Sequence, residues 1–251
     1  GSCGFDPHPR HKMSAHKKHD KNYRWTPKLA YAIGLITTDG NLSGDKRHIS
    51  LSSSDIEQLE NFKKCLNLNC SIGKNPKSPT TRKQGYRVQF SNVCFYRWLE
   101  KIGLCPNKSF KLSSLLIPDK FFRDFIRGHL DGDGSIIVYE DRYNTYKNPK
   151  YIYERLMVYL MSASRTHVEW LQRKIVEITN LHGAIQIKKY KLLEKKPNYV
   201  LKFSKKESIK FLRWIYYKNN LPCLTRKYDK AKKFLGFDSP SRHQICIKSQ
   251  F

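Results

Sequence analysis

Carboxylates are scarce in this chain: 21 Asp and Glu stand against 48 Lys and Arg among 251 residues, a formal net charge of +27. That excess goes far beyond what solubility requires and points to a polyanionic partner, nucleic acid first. Long apolar runs are also missing. None approaches the roughly 18 residues that would cross a bilayer, and nothing at the N-terminus reads as a signal peptide. The expectation is a soluble, intracellular protein with no membrane partner. The seven cysteines contain no C-x-x-C pair and are odd in number. This argues against a disulfide framework or a zinc ribbon and for reduced, mostly buried thiols.

What is present is a repeated motif. Ala32-Ile-Gly-Leu-Ile-Thr-Thr-Asp-Gly40 returns 94 residues later as Ile126-Arg-Gly-His-Leu-Asp-Gly-Asp-Gly134. Each copy ends an apolar segment in Asp-Gly, with a glycine five residues before the acid. If the segments are helices, Gly34 and Thr38 lie on one face, as do Gly128 and Gly132. Two such helices pack with their backbones unusually close, which brings Asp39 and Asp133 together. An acid at a helix C-terminus opposes the helix dipole by roughly 0.3–1 kcal/mol. Breaking that rule twice, at matching positions, points to function more than to packing.

The rest of the chain follows the same duplication. Residues 1–24 are polar and basic, with His8, His11, His16 and His19 but no apolar periodicity, and read as a mobile arm without an ordered metal site. Thr26-Pro27 starts a helix. His48, Ser50 and Ser52 alternate with Ile49 and Leu51 as a half-buried strand. Ser54 and Glu57 form a capping box for a second helix. Beyond a basic loop from Lys74 to Gly85, Arg87, Gln89 and Ser91 alternate with Tyr86, Val88 and Phe90 before a closing helix. Thr166–Leu171 lies 112 after Ser54–Leu59, and Tyr199–Ser204 lies 113 after Tyr86–Ser91. The jump from 94 places an insertion in the tyrosine-rich segment around Asp141 to Glu154. The expected division is an arm (1–24), a first repeat (25–109), a linker (110–117), a second repeat (118–236) and an uninformative tail (237–251). On the strands, the polar set of each half would face away from the helices: His48, Ser50, Ser52, Arg87, Gln89 and Ser91, then Gln186, Lys188, Lys202 and Ser204. Side chains of this kind at two-residue spacing suit major-groove reading.

The doubled motif resembles the paired LAGLIDADG motifs of single-chain, two-repeat LAGLIDADG homing endonucleases, and the resemblance covers about residues 25 to 236. It implies an α+β fold of tandem αββαββα repeats with pseudo-two-fold symmetry, whose two antiparallel four-stranded DNA-binding sheets form a saddle. It also implies a monomeric, commonly intron-encoded enzyme that cuts both strands of a long double-stranded DNA site and leaves 3′ overhangs. Asp39 and Asp133 would bind Mg²⁺, with Mn²⁺ or Ca²⁺ substituting for binding and backbone carbonyls near Thr38 and Gly132 as further donors. Hard oxygen ligands of this kind suit that ion. Lys108 and Lys227 match the family's lysines beside the scissile phosphate. Arg165, with Ser164, occupies the place of a residue at the end of the second strand, where the first half has Ser52 and Ser53. Thr37 departs from the family's earlier acid, which Asp131 retains. A non-cleaving nucleic-acid binder on the same fold, an intron RNA maturase or a transcription regulator, is the competing reading. An excised intein endonuclease is disfavoured, since no splicing blocks flank the repeats.

Overall fold

The computed structural model describes residues 23–76, 83–189 and 197–236. Nearly all of the basic arm, the middle of the first basic loop and the tail lie outside the described residues. Tyr23, in the expected arm, packs its ring edge-on against Phe95 at 5.0 Å.

The first half runs α1 (Pro27–Asp39), β1 (Gly40–Leu42), β2 (His48–Ser53), α2 (Ile56–Leu66), β3 (Gly73–Lys74), β4 (Tyr86–Ser91) and α3 (Val93–Lys101). The second runs α4 (Asp119–Asp133), β5 (Ser135–Asp141), β6 (Tyr153–Ser162), α5 (Arg165–Thr179), β7 (Ala184–Lys188), β8 (Asn198–Phe203), α6 (Lys205–Ile215) and α7 (Thr225–Leu235). Each half builds one antiparallel four-stranded sheet, in the orders β1-β2-β4-β3 and β5-β6-β8-β7. The fold is therefore α+β with two matched sheets, as the duplication predicts. The insertion is the lengthened β5–β6 hairpin. Helix α7 was not foreseen, and Ser54 is not a cap: Asp55 takes that position, while the Ser53 hydroxyl accepts from the Asp55 amide.

Helix α1 starts where Thr26 accepts from the Leu29 amide at 3.1 Å, with Pro27 in its first turn. Every residue from Leu29 to Thr37 is buried, so this helix has no solvent face and runs through the centre of the molecule. Its partner is α4. A Cβ on Gly34 would sit 2.2 Å from the Phe125 carbonyl oxygen, and one on Gly128 would sit 2.1 Å from that of Tyr31. The glycines let the two backbones touch. At the lower end a Cβ on Gly132 would meet the Thr38 hydroxyl at 1.9 Å and an Asp39 carboxylate oxygen at 2.9 Å.

Polar groups buried around this pair hold α7 against it. Arg127, fully enclosed, donates to Asp124 at 2.7 Å and to the carbonyls of Ile215 and Pro222 at 2.9 Å each. Asp131 accepts from the Tyr31 hydroxyl at 2.8 Å and from the Leu224 amide at 2.9 Å. The earlier acid of the second motif thus ties α1, α4 and the start of α7 together. Thr37, its counterpart, donates to the Ile33 carbonyl of its own helix at 2.7 Å. In the first half a single 3-10 turn, Lys108–Phe110, stands where α7 begins in the second.

Candidate active site

The paired helices deliver Asp39 and Asp133 to one place, each as the last residue of its helix. Burial raises the pKa of Asp39 above the ordinary carboxylate range, opposed by a hydrogen bond from Gln58 and by the Lys227 and Lys108 charges. Asp133 is pushed up to about 6, first by loss of solvation and then by the neighbouring Asp39 charge. The side chain of Asp133 keeps an open side towards solvent, so this shift is softened by screening.

Lys108 and Lys227 close the site. Lys108, in a 3-10 turn after α3, is buried and donates to the carbonyls of Gly40 and, at 3.3 Å, Thr38. Lys227, in α7, donates to the carbonyls of Asp131 and Gly134 at 2.8 Å and of Gly132 at 3.4 Å. Each ammonium therefore caps the negative end of one motif helix, where a cation is favoured. Burial depresses Lys108 and takes Lys227 down to about 8, with the nearby acids opposing both shifts. The backbone carbonyls at Thr38 and Gly132, expected as metal donors, each already accept from a lysine and retain a second lone pair.

Gln58 is the residue that sequence reasoning missed. Its side-chain amide donates to Asp39 at 2.6 Å, and its carbonyl accepts from the Ser53 hydroxyl at 3.0 Å. The position 112 residues later is Trp170, which packs against Phe122 and Phe125. Among the described residues Asp133 has no matching side-chain donor. The signal was there as Gln58 on the apolar side of α2, one helical position before Leu59.

Whether a divalent cation fits can be judged from the donors. Two carboxylates, both raised by burial and Asp133 further by the Asp39 charge, beside an open polar cavity lined by Thr38, Lys108, Asp133 and Ser162, are hard oxygen ligands for which such an ion would supply the missing charge. No cluster of three or more His, Cys, Asp or Glu occurs among the described residues, so water and substrate oxygens would complete the shell. The linkage has a definite sign. Asp133 folds with a raised pKa, so its contribution to stability is present below about pH 4 and lost as pH rises through about 6. Asp133→Asn should therefore melt progressively higher than the unsubstituted chain as pH goes from 4 to 7. A tenfold excess of Mg²⁺ or Ca²⁺ over its Kd should raise the unsubstituted chain's Tm by about 3–6 °C at pH 7.5. Scanning calorimetry of both chains, with and without the ion, checks both statements.

The strand residues fall into register as alternation predicts. Across β2 and β4, His48 faces Ser91, Ser50 faces Gln89 and Ser52 faces Arg87. Ser50 is covered by its neighbours, and the His48 ring is held by Asp45, which shifts to a pKa of about 2 through hydrogen bonds from His48. Gln186, Lys188 and Lys202 share the open face of the second sheet. Two placements need correction. Ser204 lies beyond β8, at the cap position of α6. Arg165 is the first residue of α5, paired with Glu169 at 2.7 Å. Chain direction changes at both points because a helix begins there, so neither extends the alternating face. Ser164, between strand and helix, is buried against the Leu112 carbonyl.

Comparison with known proteins agrees with this architecture. Residues 26–103 match the family model of a LAGLIDADG-like domain. Among solved structures, the I-LtrWI LAGLIDADG homing endonuclease bound to target DNA is similar over 83% of this chain and 88% of its own, at 14% identity and a TM-score of 0.51. I-DmoI in complex with DNA and Ca is similar over 81% of this chain and 96% of its own, at 17% identity and a TM-score of 0.51. Full-length DUF199/WhiA from Thermatoga maritima is similar over 86% of this chain, at 15% identity and a TM-score of 0.50. This chain spans 62% of that protein's length. No curated protein matches the sequence. The fold is that of the two-repeat LAGLIDADG homing endonucleases. No helix among the described residues is long and apolar enough to cross a membrane.

Proposed function

We propose that the chain is a site-specific DNA endonuclease that acts as a monomer. Its repeats, residues 25–109 and 118–236 joined by 110–117, would each lay one sheet on half of a long duplex site. The observation that carries this reading is the meeting of Asp39 and Asp133 at the touching ends of two helices, each end capped by a buried lysine. Asp39 and Asp133 would hold Mg²⁺, which supplies an activated water and stabilises the departing oxygen at neutral pH. Lys108 and Lys227 keep the two helix ends from repelling phosphate, and their fixed charge favours the negative charge that develops in hydrolysis. Gln58 donates to one oxygen of Asp39 and so fixes the orientation of that carboxylate. The polar open face of β2 and β4 presents Arg87, Gln89 and Ser52 to base edges. Arg87 suits guanine and Gln89 suits adenine.

One observation favours the competing reading, a binder that does not cut: the two lysines already balance the two acids in charge without a metal. Incubating the protein with a randomised duplex library in Mg²⁺ and in EDTA separates the two. Fragments in Mg²⁺ alone support the endonuclease, whereas duplex retained intact in both supports the binder.

The asymmetry at Gln58 gives a further expected result. Loss of a group that orients a ligand typically costs 10–100-fold. Gln58→Ala should therefore slow one strand cut by about tenfold or more and leave the other near its original rate, as read from strand-specific end labels in single turnover. Equal slowing of both strands would remove Gln58 from this role.

A further inference from the structure

The two open sheet faces differ in chemistry. In the first half, strand pairing sets Asn41 beside Ser50 and Gln89, and Ser52 beside Arg87. Every one of these side chains is polar. In the second half, the equivalent face carries Ile137 paired with Met157, Tyr139 paired with Arg155, and Met161 paired with Val200. Ile137 is 41% and Tyr139 44% exposed. Along β5 and β6 the polar groups are engaged, Arg155 with Asp141 at 2.8 Å and the Tyr159 hydroxyl with the Met157 sulfur at 2.9 Å, whereas Gln186, Lys188 and Lys202 gather on β7 and β8.

This apolar surface leads directly to the acid pair. Asp133, Ser135, Ile137, Met161, Val200 and Gln186 line one cavity, so whatever lies on the face also lies over Asp133. On the reading given above, that occupant is the DNA being cut. Viewed from the major groove, a duplex offers one apolar group, the C5-methyl of thymine. Cytosine, guanine and adenine present donors and acceptors there that an apolar side chain would strip of water without replacement.

We infer that the second half selects its half-site by contact with thymine methyl groups on this face, whereas the first half reads hydrogen-bonding edges. This rests on the duplex-binding part of the proposed function and is independent of cleavage. Ile137, Met157 and Met161 are the specificity-determining residues, with Met161 nearest the centre of the site because, besides the cavity it shares with Ile137 and Asp133, it also lines the one formed by Thr38, Lys108 and Asp133. Removing one buried methyl group is expected to weaken binding about three- to fourfold.

Two parallel selections test it, by capture on immobilised protein in EDTA so that nothing is cut. Random duplexes are made with dTTP in one arm and dUTP in the other. The thymine library should yield a site with one thymine-enriched half, and the uracil library should lose its preferences in that half alone. Met157→Ala should weaken preference within the thymine-enriched half. Arg87→Ala should weaken preference in the other half. Both residues sit on an open face, and the chain should stay folded, which its Tm confirms. A thymine-enriched half that survives uracil unchanged, or a selected site without thymine enrichment, would overturn the inference while leaving duplex binding intact. Failure to enrich any sequence in either library would instead remove the duplex-binding reading itself, and the inference with it.

Discussion

Asp39→Asn or Asp133→Asn is expected to abolish double-strand cleavage, by about a thousandfold or more, while leaving duplex affinity within a few-fold of the unsubstituted chain. Each acid is the last residue of a central helix, and exchange of a carboxylate for an amide leaves the side chains on the strands themselves unchanged. Asparagine keeps the shape and removes the charge that a divalent cation requires. In a site shielded from water, removal of one group that meets developing charge already costs 10²–10³ in rate. Removal of a metal ligand acts on both the nucleophile and the leaving oxygen and should cost more. Single-turnover cleavage and filter binding on the same duplex separate the two effects. If either variant cut at more than about a tenth of the original rate in Mg²⁺, the acid pair would not be the metal centre. If binding collapsed with cleavage, the acids would be holding the fold. The raised pKa of Asp133 argues against that, since neutralising a carboxylate that burial has already destabilised should not weaken the folded chain.

The second large effect is structural. Gly34→Ala or Gly128→Ala places a methyl group where a backbone oxygen stands 2.2 or 2.1 Å away. In an isolated helix the same change would stabilise by about 0.8–1 kcal/mol. Here the contact decides the sign. Neither neighbour is a flexible side chain, so the helices must move apart along their length. Overpacking against a rigid neighbour typically costs 1–3 kcal/mol and occasionally more. With a cost at the top of that range and the helical gain subtracted, a net loss of about 2 kcal/mol should lower Tm by roughly 4–8 °C for a chain of this size. Gly44→Ala, with nothing within 4 Å of its added Cβ, should leave Tm unchanged and serves as the reference. Because the helices carry Asp39 and Asp133 at their ends, the two glycine variants should also lose cleavage at temperatures where they remain folded. A glycine variant with unchanged Tm would mean that the two backbones do not touch.

Much of this was legible in the sequence, for identifiable reasons. The motif helices announce themselves because glycine five residues before an acid, twice, has few explanations in a helix other than close approach. Alternation placed the strands and their open faces because a pleated strand has a period of two, and a one-residue error would have put Val88 and Leu51 into solvent. What alternation could not show is that the second open face is largely apolar along β5 and β6. Met157, Tyr159 and Met161 sit on the open side, while Leu156, Val158 and Leu160 sit on the helix side. With apolar residues on both sides, the sequence has no contrast to read there. Ser204 and Arg165 were misplaced because they follow a strand by one and three residues, where chain direction depends on the start of the next helix. Gln58 was missed because its partner is 19 positions away and its second-half counterpart is tryptophan, so the comparison between repeats that revealed the other site residues concealed this one. Lys227 was found by comparison of the repeats, but its burial was not. Four carbonyls at the end of α4 surround its ammonium, and α7, the helix that brings it there, is matched in the first half by no more than the 3-10 turn Lys108–Phe110.

The most direct measurement is the sequence of the ends that the protein leaves on a selected duplex. After incubation in Mg²⁺, both strands of each product are read to their termini. Two acids side by side at the meeting of two central helices predict one break in each strand at a fixed short stagger, and the resemblance to LAGLIDADG homing endonucleases implies 3′-extended ends. They also predict no break in either strand in EDTA or with Asp39→Asn. Duplex that is bound tightly and recovered intact in Mg²⁺ would contradict cleavage outright, and breaks scattered without a fixed stagger would contradict a single paired centre.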